Sequence, residues 1–477
     1  MGDEKVRQDI KFIALIAGVW LFIFPVYSIF LHIVFRTTSL DLGMHSQLIW
    51  NLARGRFMQT SFMNHSFAGN HFWPLLYVFV PVYEFFGIYG LLIVQCVIAA
   101  SGVFPVYSLT YDITNSKAWA RVLSFAYLAL PTISMGVLFD FHTELISIPV
   151  ALQATLMLRR NKKSFWFWAF TAILLYEVNA IIFSIFGIGL LFRKGRRITG
   201  SVLAGLSMLY LVVIFFLIMP AFKEEVTLPH WERYSHLGKT PAEALIQIIT
   251  HPIETVKDSI SSRDIRQISF LFLSVGFLPF MSLKYMMPAL PVLLALILSN
   301  WEVQMDVRHA YYAPVIPCLI LSSVHGAGFI NELNLRKFER LRKFASIISF
   351  TIILCAFLYI HIEHPKRPFP FLIRANLSEL REAITFIPPG ASVSADNHLG
   401  PRLANREVLL LTPMIEYRSK KVEYIFTDLL EEEFKGNYWR KQMKHVFEGD
   451  KYVPIYSSRG VIVFKRREKN ITVTNER

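Results

Sequence analysis

The chain is poor in cysteine, in acid and in charge altogether. Its three cysteines, Cys96, Cys318 and Cys355, lie inside apolar runs, which excludes a disulfide framework and every zinc spacing. Charged residues are 18% of the 477 and hydrophobic ones 54%, a balance that excludes an ordinary soluble domain. Acids are the scarcer sign: 35 Asp and Glu stand against 49 Lys and Arg, a net charge of +14. Such a surplus often marks a nucleic-acid binder, but here much of it flanks apolar runs. The clusters are Arg159, Arg160, Lys162, Lys163; then Arg193, Lys194, Arg196, Arg197; then Arg336, Lys337, Arg340, Arg342, Lys343. Cytoplasmic loops of membrane proteins are built this way, and no nucleic-acid partner is expected. The first apolar run, Phe12 to Phe35, is long enough to span and lacks a small-residue cleavage site, so a retained helix is expected. Internal repeats, low-complexity tracts and a string of polar residues through the apolar segments are all missing. The last absence argues against an ion or proton pathway.

What is present is a series of apolar segments of membrane-spanning length, about 20 residues each. They fall near 11–35, 90–110, 119–138, 145–158, 198–220, 267–283, 285–300, 311–330 and 344–361. Between the first and second of the basic clusters lie only Ser164 to Phe192, a rod of roughly 43 Å at ~1.5 Å per residue. One crossing there would put two basic clusters on opposite sides, against the charge rule. Two short helices meeting near Glu177 and Asn179 keep both inside. The run Phe72 to Phe86, with Pro74 and Pro81, is then read as lying on the outer surface. The expectation is an α-helical polytopic membrane protein with about eleven transmembrane helices, N-terminus cytoplasmic. The division expected is 1–361 membrane domain and 362–477 small α/β domain outside the cytoplasm. In the latter, Leu377 to Ile387 and Asn437 to Phe447 read as helices. Ser392 to Ala395, Glu407 to Leu411 and Val422 to Thr427 read as strands, with 452–456 and 460–465 as a hairpin. Asn376 and Asn470 open glycosylation sequons.

An ionisable group at membrane depth is costly, so its position marks function. The expected topology gathers such groups on the outer side. Asp41 follows the first span and reads either as a general base or as a helix cap. His45, Gln47 and Asn51 lie on the helix after it, with Trp50 at headgroup level, and His71 precedes the next apolar run. Asp140, His142 and Glu144 alternate in a turn, as substrate contacts or a polar turn. Carboxylates and imidazole suit Mg²⁺ or Mn²⁺, but the spacing is no metal signature, and metal use stays open. Glu177 sits at the tip of the short helical pair. His230, Arg233 and Tyr234 form one cationic, aromatic cluster; Arg308, His309 and Tyr311 form another. Both suit an anionic headgroup or interfacial anchoring.

The segments SLDLGMHSQLIWNLARGRF, HFWPLLYVFVPVYEFFG, LPTISMGVLFDFHTELISIP, LLYEVNAIIF, RYSHLGKTPAEAL and RHAYYAPVIP resemble, in that order, a prokaryotic family of multi-span membrane proteins well represented in archaea. That family looks like a branch of the GT-C glycosyltransferases, which use polyprenyl-phosphate-linked sugars. The resemblance implies a lipid-linked donor, an acceptor not identified by the sequence, and an inverting single displacement. It assigns Asp41 the base role and gives Asp140, His142 and Glu177 to the same site. Many relatives carry paired acids where Leu42 and Gly43 follow Asp41 here, which leaves Asp140 or His142 to share the role. The competing readings are a transporter or flippase, which needs a polar route, and a non-catalytic scaffold, which needs no cavity.

Overall fold

In the computed structural model of the chain, residues 2–223, 230–332, 339–362, 373–431 and 436–467 are described. The sequon at Asn470 and the basic residues Arg336 and Lys337 lie outside them. Four helical stretches are long and apolar enough to cross a membrane: Lys11–Ile33, Pro74–Thr114, Arg197–Ala221 and Phe344–Ile362. A fifth candidate is the bent pair Lys117–Ala129 and Pro131–Leu138. The chain divides into two compact units, each described by itself.

The first unit takes Met1–Ser28, Ala68–Leu76 and Tyr89–Pro368. Trp20 donates its indole N–H to the Leu128 carbonyl at 3.1 Å, which ties the first helix to Lys117–Ala129. Helices Asn179–Leu191 and Arg197–Val213 approach to backbone contact. A Cβ on Gly200 would stand 2.6 Å from the Gly187 carbonyl oxygen, and one on Gly187 would stand 2.7 Å from the Ala204 nitrogen. Small residues that let helix backbones touch replace hydrophobic burial as the glue between helices in lipid.

Two expectations change here. Neither 267–283 nor 285–300 is one continuous helix. The helix Ser262–Leu273 is followed by the short turns Leu278–Met281, Leu283–Tyr285 and Met287–Ala289, and then by Leu290–Ile297. Pro279, Pro288 and Pro291 stand at the starts of those pieces, where a missing N–H is tolerated at a first turn and not inside a helix. The short apolar pair is present as Phe165–Leu175 and Asn179–Leu191, broken at Tyr176, whose backbone is extended.

The second unit takes Ile29–Phe67, Tyr77–Ile88 and Phe369–Arg477. Its membership therefore differs from a simple cut at 361/362: the segment after the first helix joins the C-terminal chain. The sheet runs β2 (Leu409–Leu411), β1 (Val393–Ala395), β5 (Tyr424–Asp428), β7 (Val461–Arg466), β6 (Tyr452–Ser458), with β2, β1 and β5 parallel and β7 and β6 antiparallel. A two-residue ladder, β3 (Glu416–Tyr417) with β4 (Lys420–Lys421), stands apart. One sheet face is covered by Leu380, Ile387 and, from the N-terminal segment, Phe35; the other by Trp439 and Met443 of helix Asn437–Phe447. Asn376 is buried and donates to Asp428 Oδ1 at 2.8 Å, so its sequon is closed to a glycosylating enzyme in the folded chain.

Hydrogen bonds explain why 29–67 belongs with the sheet. Ser39 N–H and Oγ both donate to the Asn397 carbonyl, at 2.7 and 2.8 Å. Gln47 is fully buried; its amide donates to Ser61 Oγ and the Arg406 carbonyl and accepts from Thr60 Oγ1 and Ser61 N–H. Gln47→Ala strands several of those groups, and each buried group left unpaired costs about 1–3 kcal/mol. The purified variant is expected to lose roughly 2–4 kcal/mol of stability, read as a lower melting temperature in detergent.

Candidate functional site

The chemistry-bearing side chains of the first unit meet around Glu177. The helix Phe165–Leu175 ends there because Tyr176 turns extended, and the next helix starts at Asn179. Asn179 Nδ2 donates to the Ala172 carbonyl at 2.8 Å, capping the end of the first helix. Glu177 thus stands just ahead of a helix N-terminus, where the backbone N–H groups favour a carboxylate. Both of its oxygens are used. His71 Nδ1 is 2.6 Å from Oε1, and Trp73 Nε1 donates to Oε2 at 3.0 Å. The His71 ring stacks on Trp73 at 4.9 Å and lies 6.1 Å from the His230 ring. Glu177 is buried, while 27% of the His71 side chain is exposed.

Arg233 reaches the same place from another segment. Its guanidinium is 3.1 Å from His230 Nδ1, donates to Gln304 Oε1 at 3.1 Å and lies 3.9 Å above the Trp301 ring. Tyr311 meets the same tryptophan edge-on. The Tyr234 hydroxyl donates to the Ala295 carbonyl and accepts from Gln304, so it fastens the loop. Arg308 differs from Arg233: both oxygens of Asp306 grip it through Nε and Nη2. Burial alone would raise the Asp306 carboxyl, but Arg308 and His309 hold it below its ordinary value. Among the described residues no carboxylate pairs with Arg233. Of the two arginines it is therefore the one with charge to offer an anion.

Asp140, His142 and Glu144 belong to the same unit. Asp140 has a left-handed backbone, φ 65°, and its carbonyl accepts from Gln95 Nε2 at 2.8 Å. Gln95 Oε1 accepts the His142 N–H, so one buried amide holds the turn from both sides. His142 Nδ1 is 3.9 Å from Glu144 Oε2, and Phe139 lies between the His142 and His309 rings, at 6.0 and 4.4 Å. The charges of Glu144 and Glu177 both reach His71. Gln95, Trp73, Trp301, Gln304 and Asp306 were not among the sequence candidates. Gln95 carried a signal, an amide in the middle of an apolar run.

Asp41 and His45 belong to the second unit. Asp41 does not cap a helix; it lies inside a π-helical turn, Ser39–Gly43, that runs into helix Met44–Leu52. Thr38 Oγ1 donates to Asp41 Oδ2 at 3.1 Å, and His45 Nδ1 lies 2.7 Å from the Asp41 carbonyl oxygen. Gln47 and Asn51 are committed to the chain's own loops, Asn51 through Gln59 and Arg56. Among the described residues no three of His, Cys, Asp or Glu gather where they could hold a metal ion, and no step is derived through one.

The two central histidines are pushed apart. Burial by itself lowers His71, but the charge and hydrogen bond of Glu177, with Glu144, outweigh it and raise the pKa above 6.5. Burial, then Arg233 and His71, lower His230 to about 4 against Glu232. Where the folded chain binds more protons than the unfolded one, stability falls as pH rises, and the reverse holds where it binds fewer. His71 contributes fully below 6.5, and its contribution is lost as pH rises through its raised value. His230 weakens the fold as pH drops from 6.5 toward about 4. Melting temperature against pH is expected to peak near the ordinary histidine value. His71→Gln removes the alkaline fall, and His230→Gln flattens the acid limb.

A family model described as predicted membrane protein (DUF2079) matches residues 31–463. No curated protein matches by sequence. Among solved structures, ArnT from Cupriavidus metallidurans bound to undecaprenyl phosphate is similar, with TM-score 0.54 and 11% identity over 95% of this chain and 97% of that one. The same protein in the apo state gives 0.53 and 12% over 97% and 98%. The apo oligosaccharyltransferase of Archaeoglobus fulgidus gives 0.43 and 13% over 96% and 75%. The likeness to ArnT is one of fold.

Proposed function

This chain belongs to the family of predicted membrane proteins (DUF2079), and from that premise we propose that it is a membrane glycosyltransferase using a polyprenyl-phosphate-linked sugar. The observation that carries the reading is the meeting of Glu177, His71, His230 and Arg233, from three separate segments, in one polar cluster of an otherwise apolar unit. The fold likeness to ArnT, whose structure holds undecaprenyl phosphate, supports a lipid-phosphate ligand. Arg233 is the phosphate partner, because Arg308 is already neutralised by Asp306.

The reaction is a single displacement. A protein base takes the proton of the acceptor hydroxyl as that oxygen attacks C1 of the sugar. The bond from C1 to the phosphate oxygen breaks, its electron pair leaves with the polyprenyl phosphate, and the anomeric centre inverts. The departing phosphate gains charge, which Arg233 stabilises. Glu177, with both oxygens occupied by His71 and Trp73, acts through His71 and is a positioning residue. The reading takes the N-terminus as cytoplasmic, about eleven crossings, and the sheet-bearing unit on the outer face.

The test is a panel of polyprenyl-phosphate sugars offered to the purified protein in mixed micelles, followed by mass spectrometry of released polyprenyl phosphate. Release that depends on protein and on donor supports the reading. Folded protein that turns over no donor while moving labelled lipid between leaflets overturns it in favour of a flippase.

A further inference from the structure

The first unit contains a second feature, whose charged end is remote from the Glu177 cluster, that sugar transfer does not use. An apolar trough of about 330 Å³ runs along helix Asn179–Leu191, walled by Phe183, Phe186, Met287, Pro317 and Leu321. One end of its lining is Asn179 and the other is Arg193 with Lys284. The two ends are 14 residues apart along the chain (193 − 179), about 20 Å at ~1.5 Å per residue. Tyr285 stands between the two cations, its ring 5.8 Å from the Arg193 guanidinium and 5.3 Å from Lys284 Nζ.

Three neighbouring basic residues are already occupied. Arg160 pairs with Asp112, Arg159 donates to the Asp112 carbonyl, and Arg196 donates to the Leu158 carbonyl and Asn161. Among the described residues neither Arg193 nor Lys284 has a carboxylate partner. Both cations lie beside Tyr285, whose ring stacks on His325 at 3.7 Å, so the two positive charges share one mouth. A hydrocarbon slot with paired cations at one mouth fits one chemistry: an acyl chain ending in a phosphate. Basic pockets between membrane helices on the cytoplasmic side bind anionic lipid headgroups. The basic clusters around Arg160 and Arg193 mark that side.

We infer that an anionic phospholipid of the cytoplasmic leaflet occupies this trough, one acyl chain along Asn179–Leu191 and its phosphate between Arg193, Lys284 and Tyr285. The occupant is not the sugar donor, since a phosphate held at Arg193 stands about 20 Å along the helix axis from the end that carries Glu177. The lipid is resident rather than reacting. The inference does not depend on sugar transfer, and its failure leaves that reading untouched.

Native mass spectrometry of the full chain, released from micelles doped with phosphatidylglycerol or phosphatidylcholine, reads the site directly. Selective retention of one phosphatidylglycerol is expected. A basic residue near a membrane surface is worth about fivefold in anionic-lipid affinity, so R193Q with K284Q should weaken retention about 25-fold. Lys162→Gln with Lys163→Gln, an equal loss of charge, should leave it unchanged. Gly189 lines the trough and a Cβ there meets nothing within 4 Å, so Gly189→Leu places its side chain in the trough and should also expel the lipid. Equal retention of phosphatidylcholine, equal losses in the two double variants, or displacement of the lipid by polyprenyl phosphate overturns the inference.

Discussion

Purified Glu177→Gln protein is expected to transfer sugar about 10²-fold more slowly than the native chain, the loss that misplacing a group at the reacting centre brings. The argument is geometric. Two N–H donors, from His71 and Trp73, converge on the two oxygens of Glu177 at 2.6 and 3.0 Å. An amide keeps one acceptor and turns a donor toward the other N–H, so one bond becomes a clash of donors. The negative charge that raises His71 disappears as well. Breaking a buried charged pair commonly costs about 3–5 kcal/mol, so a fall in melting temperature accompanies the variant. A role in catalysis has to be separated from that fall. The separating readout is the pH–rate profile: losing the carboxylate lowers the pKa of His71, so any limb that His71 sets moves to lower pH, which a purely structural defect leaves in place. Glu177→Asp, retaining charge with a shorter reach, should recover part of the rate. A folded Glu177→Gln enzyme with native rate and profile removes the positioning role.

The second large effect is at Asp41. Asp41→Asn should lower transfer by about 10²–10⁴ and leave the melting temperature nearly unchanged, within about 0.5 kcal/mol of stability. Among the described residues the Asp41 carboxylate has one hydrogen-bond partner, Thr38 Oγ1, which an asparagine oxygen also accepts. His45 bonds to the Asp41 backbone carbonyl, which the substitution does not touch. The variant therefore changes basicity and little else. Native turnover by Asp41→Asn would pass the base role to Asp140 or His142, and the corresponding variants then become the test.

Where local chemistry decides a feature, the sequence displays it. Helix Asn437–Phe447 carries its own amphipathic period, and the break between Leu175 and Asn179 is announced by Tyr-Glu-Val-Asn after an apolar run. The two acids and one histidine of 140–144, Glu177, His71 and Arg233 stood out because charge is rare in such company. The region 267–300 was harder. Its hydropathy is that of two spans, but Pro279, Pro288 and Pro291 divide it into turns, and apolarity outvoted the prolines in the reading. Long-range partners were not legible at all. Gln47 looks like a polar residue on a surface helix, and only its bonds to Ser61 and to the Arg406 carbonyl, 359 residues away, reveal a buried clamp. Gln95 stands out as an amide in an apolar run, but its partners at Asp140 and His142, 45 and 47 residues on, do not. Phe35 reads as the end of a membrane helix and turns out to be core for the C-terminal sheet.

The bare backbone contact between Gly187 and Gly200 has a mechanical consequence. With no side chain between them to yield, the rods 179–191 and 197–213 are set in direct abutment, and neither can roll about its own axis without a collision of main-chain atoms. They form a single stiff beam at that crossing.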